Sequence, residues 1–201
     1  MRHIEKILFD LDGTLFNTQG IHAEIESSLL AQSGIILSPE EITRRYAGTH
    51  TRKYFAALLG STEMAENLLS NKRDLLMQRK SEIMPLYTEN FFEQLRGRGY
   101  KMAIGTGASH RTADFILDQF GIAHFFDRIV CSDDVSEGKP HPETWERAAN
   151  GAAPHTCLVI EDGLAGVEAA LAAGMSSALL LPREHHSATP ITSLAELLTI
   201  L

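Results

Sequence analysis

The sequence predicts an α/β fold, a Rossmann-like three-layer core built on a parallel sheet, with a small helical domain inserted into it. Three observations predict this. From residue 85 onward short apolar runs alternate with helical patterns, the alternation that builds a parallel sheet with helices on both faces. The opening run Lys6-Ile7-Leu8-Phe9 has the continuous apolar character of a strand buried on both faces, and it stops at Asp10-Leu11-Asp12-Gly13. Between that run and residue 84 the chain stays helical, with no second strand to complete a simple crossover.

The elements follow in order. Residues 18–33 carry Ile21, Ile25, Leu29 and Leu30 at helical spacing and end at Gly34. Ser38-Pro39-Glu40-Glu41 is a helix start, with an N-cap residue, proline in the first turn and acids behind it. A third helix is expected over His50 to Leu59, stopped by Gly60, and a fourth from Ser61 to about Ile83, ahead of Met84-Pro85. Helix Tyr87–Arg96 then leads to strand Lys101–Gly105, helix Ser109–Phe120 to strand Arg128–Cys131, and helix Pro142–Asn150 to strand Thr156–Ile160. Helix Leu164–Ala173, strand Ser177–Leu181 and a last helix near Leu194–Ile200 complete the chain. Residues 1–16 and 84–201 therefore form the core domain, and 17–83 a helical cap whose two ends return to one crevice, well placed to close over a ligand.

Composition narrows the function classes. At 201 residues and 44% hydrophobic content the chain is an ordinary globular protein, which excludes disorder. With 26 acidic against 18 basic residues and a formal charge of -8, it lacks the basic stripe of a nucleic-acid binder. Cys131 and Cys157 both fall in predicted strands and read as small buried apolar residues, so no disulfide framework is implied. The chain enters its first strand without an apolar signal core, and no stretch approaches the length of a membrane span. A cytoplasmic location and a monomer or small homo-oligomer are the expectations.

Polar residues gather where strands end. Ligands in open α/β sheets bind outside the carboxyl ends of strands, where Asp10 and Asp12 stand. One aspartate at a turn is ordinary capping; two at one strand end are not. The second strand finishes in Thr106-Gly107-Ala108-Ser109, a hydroxyl and backbone N–H groups at a helix start, suited to an anion. Lys139 is fixed between Gly138 and Pro140, and the fourth strand ends in a second acidic pair, Glu161-Asp162. Four carboxylates in one crevice repel one another unless a cation neutralises them, and a hard divalent ion such as Mg2+ suits oxygen ligands. Metal-assisted phosphoryl transfer is the reaction class that uses every member.

With these residues assembled, the chain resembles the haloacid dehalogenase-like superfamily, in the phosphatase and phosphomutase branch with a helical cap after the first strand. The motifs Asp10-x-Asp12-Gly-Thr14-Leu, strand-end Thr106, Gly138-Lys139-Pro140-x-Pro142-Glu and Glu161-Asp162-x-x-x-Gly166-x-x-Ala169-Ala170-x-x-Ala173-Gly174-Met175 occur in the family's order across essentially the whole chain. The resemblance implies that Asp10 is a nucleophile forming an aspartyl-phosphate and that Asp12 is the general acid and then base. It further implies that Thr106 and the Gly107 N–H bind the phosphoryl oxygens and that Lys139 pairs with nucleophile and phosphoryl group. Mg2+ is then held by Asp10, the Asp12 carbonyl, Glu161 and Asp162. His22 matches a histidine on the first cap helix, and Tyr46 to Arg52 resembles the cap's substrate loop, which makes His22, His50 and Arg52 candidate substrate contacts. Asn17-Thr18 and Ala108 depart from the common Asp-Ser and polar residue, and both border the crevice. The expected function is a Mg2+-dependent phosphatase for a small phosphate monoester of the sugar phosphate, phosphoglycolate or nucleotide type. A sugar phosphomutase of the β-phosphoglucomutase type is the alternative, and a non-catalytic sensing protein the third.

Overall fold

A computed structural model describes residues 3–46, 51–180 and 182–201. Six strands form one all-parallel sheet in the order β3-β2-β1-β4-β5-β6: β1 Lys6–Phe9, β2 Lys101–Gly105, β3 Arg128–Val130, β4 Cys157–Glu161, β5 Ser176–Leu180 and β6 Ala188–Ile191. The helices are α1 Thr18–Gln32, α2 Pro39–Tyr46, α3 Thr51–Leu59, α4 Thr62–Gln78, α5 Phe91–Gly97, α6 His110–Phe120, α7 Glu143–Ala149, α8 Leu164–Ala172 and α9 Leu197–Ile200. No helix among the described residues is long and apolar enough to cross a membrane.

Strand β1 is central and fully buried, as its unbroken apolar run requires. Its alternate side chains feed two cores. Ile7 and Phe9 join Met102, Ile104, Leu158 and Ile160 beneath the aromatic cluster of Phe91, Phe92 and Phe126, while Leu8, Ala103 and Val159 pack on Trp145 and Ala169 of the opposite face. The register aligns Phe9 with Ile104 of β2 and Ile160 of β4, so Asp10, Gly105 and Glu161 emerge at one level of the sheet edge.

Strand β6 corrects the expectation of five strands. It is short, exposed along most of its length and contains Pro190, which an edge strand tolerates and which masks the strand pattern. Helix α5 starts at Phe91 rather than Tyr87, because Asn90 is left-handed at φ 61 and breaks the preceding turn. Helix α4 ends at Gln78, and a 3-10 turn over Lys80–Glu82 replaces its expected last turn. The last helix is divided into a 3-10 turn, Leu194–Glu196, and α9. Cys131 lies just beyond β3 and Cys157 within β4; both are buried free thiols.

Helices α1 to α4 pack on one another around Leu29, Leu30, Ile42, Phe55 and Leu76. Two chain crossings, running side by side, connect them to the sheet. Phe16 bridges Pro85, the Leu86 N–H donates to Leu15 O at 2.9 Å, and the Asn17 and Met84 backbones are joined both directly and through the Asn17 carboxamide. Asn17, the residue at the departure from Asp-Ser, therefore holds the two crossings together.

Candidate active site

The sheet register alone brings three strand ends together; loops supply the rest. Asp10 follows β1 and is almost fully buried, its N–H donating to Ile160 O at 3.0 Å. Lys139 reaches in from the loop before α7 and donates to Asp10 Oδ1 at 2.6 Å, Glu161 Oε1 at 2.7 Å and Gly105 O at 2.9 Å. Its ammonium also lies 4.2 Å from the ring centroid of Trp145, a cation–π contact that holds the buried charge from a further side. Trp145 is anchored in turn by its Nε1–H on Gly166 O at 3.0 Å, and a Cβ at Gly105 would stand 2.6 Å from its ring.

Glu161 uses its second oxygen on its own turn, accepting from Asp162 N at 3.1 Å and Gly163 N at 2.9 Å. Oxygens of Asp10, Glu161 and Asp162 all lie within 4.8 Å of one another. Two glycines make room for this crowding. Gly13, at φ 88, would place a Cβ into the Asp162 carboxylate, and a Cβ at Gly166 would overlap the Glu161 carboxylate. Both glycines are required by close approach, and Gly13 by its backbone conformation as well.

The electrostatics of this floor are out of balance. Burial, then the charge of Glu161, push the Asp10 carboxyl well above its ordinary value in spite of Lys139. Burial and Glu161 likewise push Asp162 up to about 7. Burial opposes the Lys139 charge, but Asp10 and Glu161 outweigh it and raise its pKa. Lys139 thus bonds two of the three acids, the charges of Arg183 and Lys139 only partly offset the third, and a hard divalent cation with oxygen ligands fits the remainder in both charge and donor type.

Asp12 belongs to a different neighbourhood. Its Oδ1 accepts from Thr18 Oγ1 at 2.5 Å and pairs with His22 Nε2 at 2.9 Å, so the carboxylate faces α1 and stands apart from the three-acid cluster. Burial raises this carboxyl, but His22 and Thr18 outweigh it and bring its pKa to about 2. Thr106, at the end of β2, is buried, and its hydroxyl accepts from Ala108 N at 3.0 Å; Gly107 is exposed beside it. Ser109 caps α6 without a side-chain capping bond.

These groups line one crevice of about 530 Å³ between the strand ends and helices α1 to α4. His22 lies in it, turned to Asp12, with its Nδ1 buried and unpartnered. Arg52 lies on its rim, paired with Glu66 at 2.5 Å. His50 falls outside the described residues. Sequence reasoning placed Thr18 at the border of the crevice without its bond to Asp12, and missed Trp145 and the Glu26–Lys72 pair, whose Nζ–Oε1 distance is 2.6 Å. Thr18 and His22 are four residues apart on one helix face, a signal present in the sequence. Lys72 and Trp145 meet their partners only through packing.

A family profile described as haloacid dehalogenase-like hydrolase matches residues 7–180. An uncharacterized protein of Haemophilus influenzae is 34% identical over 182 residues, 85% of this chain and 88% of its own length. Fructose-1-phosphate phosphatase YqaB of Escherichia coli is 28% identical over 177 residues, 85% and 93% of the two chains. Among solved structures, β-phosphoglucomutase of Clostridium difficile superposes with a TM-score of 0.81 at 24% identity, covering 96% of this chain and 93% of the other. A profile match over most of the chain, and a floor of strand-end acids around one buried lysine, give the same answer: the chain belongs to the haloacid dehalogenase-like hydrolases.

Proposed function

We propose that the protein is a Mg2+-dependent phosphatase acting on a small phosphate monoester through an aspartyl-phosphate on Asp10. The observation that carries this reading is the position of the Asp10 carboxylate at the centre of the sheet edge, 2.6 Å from Lys139 and within the three-acid cluster. Mg2+ on Asp10, Asp162 and the neighbouring oxygen donors would offset the charge of an anionic ester as the nucleophile approaches. Asp10 attacks phosphorus while the bond to the leaving oxygen breaks. Lys139 orients the attacking carboxylate through Oδ1, leaving its other oxygen for phosphorus. The Thr106 hydroxyl and the Gly107 N–H donate to the phosphoryl oxygens at the mouth of α6, where the helix dipole favours an anion.

Asp12 manages the proton. The bonds from Thr18 and His22 keep it ionised, the state that takes a proton from the water attacking the aspartyl-phosphate. To deliver a proton to the leaving oxygen, Asp12 must exchange those bonds for the substrate. Residues 17–83 act as a cap that encloses a ligand of modest size, in keeping with a crevice of about 530 Å³. His22 lines the crevice beside Asp12, and Arg52 on the rim is placed for a more distant part of the leaving group.

The same carboxylates serve a sugar phosphomutase, the second reading, to which the similarity with β-phosphoglucomutase lends weight. Incubation with a panel of phosphorylated metabolites and Mg2+, with EDTA as control, separates the two. Release of inorganic phosphate from one or more esters, abolished by EDTA, is expected. Rearrangement of a hexose 1-phosphate with little phosphate released would overturn the phosphatase reading in favour of the mutase.

A further inference from the structure

A second cluster of metal-ligating side chains stands beside the phosphate-binding loop and takes no part in the chemistry above. His110 opens α6, Cys131 precedes the 3-10 turn Ser132–Asp134 that follows β3, and Asp134 ends that turn. His110 Nε2 lies 2.8 Å from Asp134 Oδ2, and the nearest ligand atoms of His110, Cys131 and Asp134 all lie within 4.8 Å of one another. The imidazole and the carboxylate are partly open to solvent, with side-chain exposures of 42% and 34%, while Cys131 forms a closed floor. An ion therefore reaches nitrogen and oxygen first and sulfur last.

We propose that His110, Cys131 and Asp134 form a binding site for a borderline-soft divalent ion, Zn2+ or Co2+, separate from the carboxylate site at the strand ends. The donor sets decide which ion goes where. Asp10, Glu161 and Asp162 offer only carboxylate oxygens, which suit Mg2+; one imidazole, one thiol and one carboxylate suit zinc-like ions, with solvent completing a four-coordinate shell. Three donors held near one another by their own fold need only small side-chain rotations to close on an ion. Ligand formation is balanced by proton release: the Cys131 S–H bond breaks as sulfur takes the metal, and the proton passes to solvent. Burial first, and the surrounding Asp134, Asp114, Asp133 and Asp12 after it, push this thiol up to about 12, so without an ion it stays protonated and unreactive.

Occupancy here has a route to the crevice. The Asp134 carboxylate also accepts from Cys131 N at 2.8 Å, the Asp133 carboxylate accepts from His110 N at 2.8 Å, and Ser132 N donates to Ala108 O at 2.8 Å. Those bonds tie the Ser132–Asp134 turn to the loop that carries Thr106 and Gly107. An ion that draws Asp134 away from His110 alters the support of the phosphoryl-binding loop.

The site is tested on the full chain by titration with Co2+ under saturating Mg2+, which fills the oxygen site and involves no turnover. One equivalent of Co2+ is expected to produce a thiolate-to-cobalt charge-transfer band, with release of protons to the buffer. Cys131→Ser should abolish the band and Cys157→Ser should keep it, while His110→Ala, at a partly exposed position, should weaken Co2+ binding by about tenfold or more. Absence of a thiolate band in the wild type, loss of the band in Cys157→Ser instead, or unchanged affinity in His110→Ala would each overturn the proposal. If Cys131→Ser does not fold, His110→Ala and Asp134→Asn test the site through Co2+ affinity: weaker binding in both supports it, and wild-type affinity in either overturns it.

Discussion

The floor and the wall of the crevice treat their acids in opposite ways. On the floor Asp10 and Glu161 share the ammonium of Lys139, the charges of Arg183 and Lys139 only partly offset Asp162, and the carboxyls of Asp10 and Asp162 are pushed up. On the wall each acid has its own partner: Asp12 has Thr18 and His22, and Glu26 has Lys72. A buried acid without a partner is expensive to keep ionised, and one with a partner is not. The floor is therefore incomplete as protein alone, whereas the wall is electrostatically closed. Variants on the floor should act on cation binding and bond making, and variants on the wall on the timing of proton transfer.

The largest effect belongs to Asp10. Asp10→Asn keeps the shape of the side chain and removes the nucleophilic charge, and phosphate release should fall by about a thousandfold or more, in line with the loss of a covalent catalyst. Thermal unfolding should show the variant folded, because the substitution relieves a crowded carboxylate. Near-normal turnover would exclude covalent catalysis by this residue. Next comes Asp12→Asn, which should lose about a hundredfold or more with ordinary alkyl esters. The loss should be smaller with esters of acidic alcohols, whose leaving oxygens need little protonation, provided that formation of the aspartyl-phosphate limits turnover; an equal loss with both ester types would assign Asp12 to the hydrolytic step alone.

The difference between floor and wall also explains what was legible in the sequence. Asp10, Glu161 and Asp162 could be found because each ends an apolar run, and strand register then brings neighbouring strand ends to one level without further information. Lys139 was visible through its Gly-Lys-Pro setting, although nothing local showed that its ammonium would lie against Trp145. The wall was harder. That Asp12 faces Thr18 and His22 rather than its neighbour Asp10 depends on how α1 leaves the first crossing, and the Glu26–Lys72 pair joins residues on two helices, α1 and α4. In the fold, buried strands announced themselves, while β6 did not, because an exposed edge strand with a proline has no apolar run to show.

A middling effect is expected where the floor is tight. Gly13→Ala puts a Cβ into the Asp162 carboxylate and strains a left-handed backbone. Mg2+ affinity, measured by calorimetry, should fall by about tenfold or more while the sheet remains intact. In the wild type the same affinity should depend on pH. Asp162, pushed up to about 7, is mostly protonated below that value and ionised above it. A proton must then leave Asp162 before the cation binds, and the Asp10 carboxyl, also pushed up, adds to the demand, so affinity should drop by about tenfold or more per pH unit below 7. Affinity independent of pH between 5 and 8 would mean that Asp162 is not a titrating ligand.

The smallest effect, and the sharpest test of the wall, is His22→Ala. Among the influences on Asp12, burial raises the carboxyl and His22 is the first that lowers it, so removing the imidazole leaves burial less opposed. The Asp12 pKa should move up from about 2 toward the ordinary carboxylate range or beyond it. The sign follows from the role: as general base in hydrolysis of the aspartyl-phosphate, Asp12 works only when ionised, and a raised pKa means that this form is lost at a higher pH on acidification. With Mg2+ held saturating across the range, the acid limb of the kcat profile should therefore shift upward by one or more pH units, with only a few-fold loss at neutral pH, where Asp12 remains mostly ionised. His22→Gln, which can restore a hydrogen bond but not a charge, should fall between the two. A variant profile that superimposes on the wild type would show that His22 does not set the ionisation of Asp12, leaving the Thr18 hydrogen bond and the charge of Lys72 to hold it.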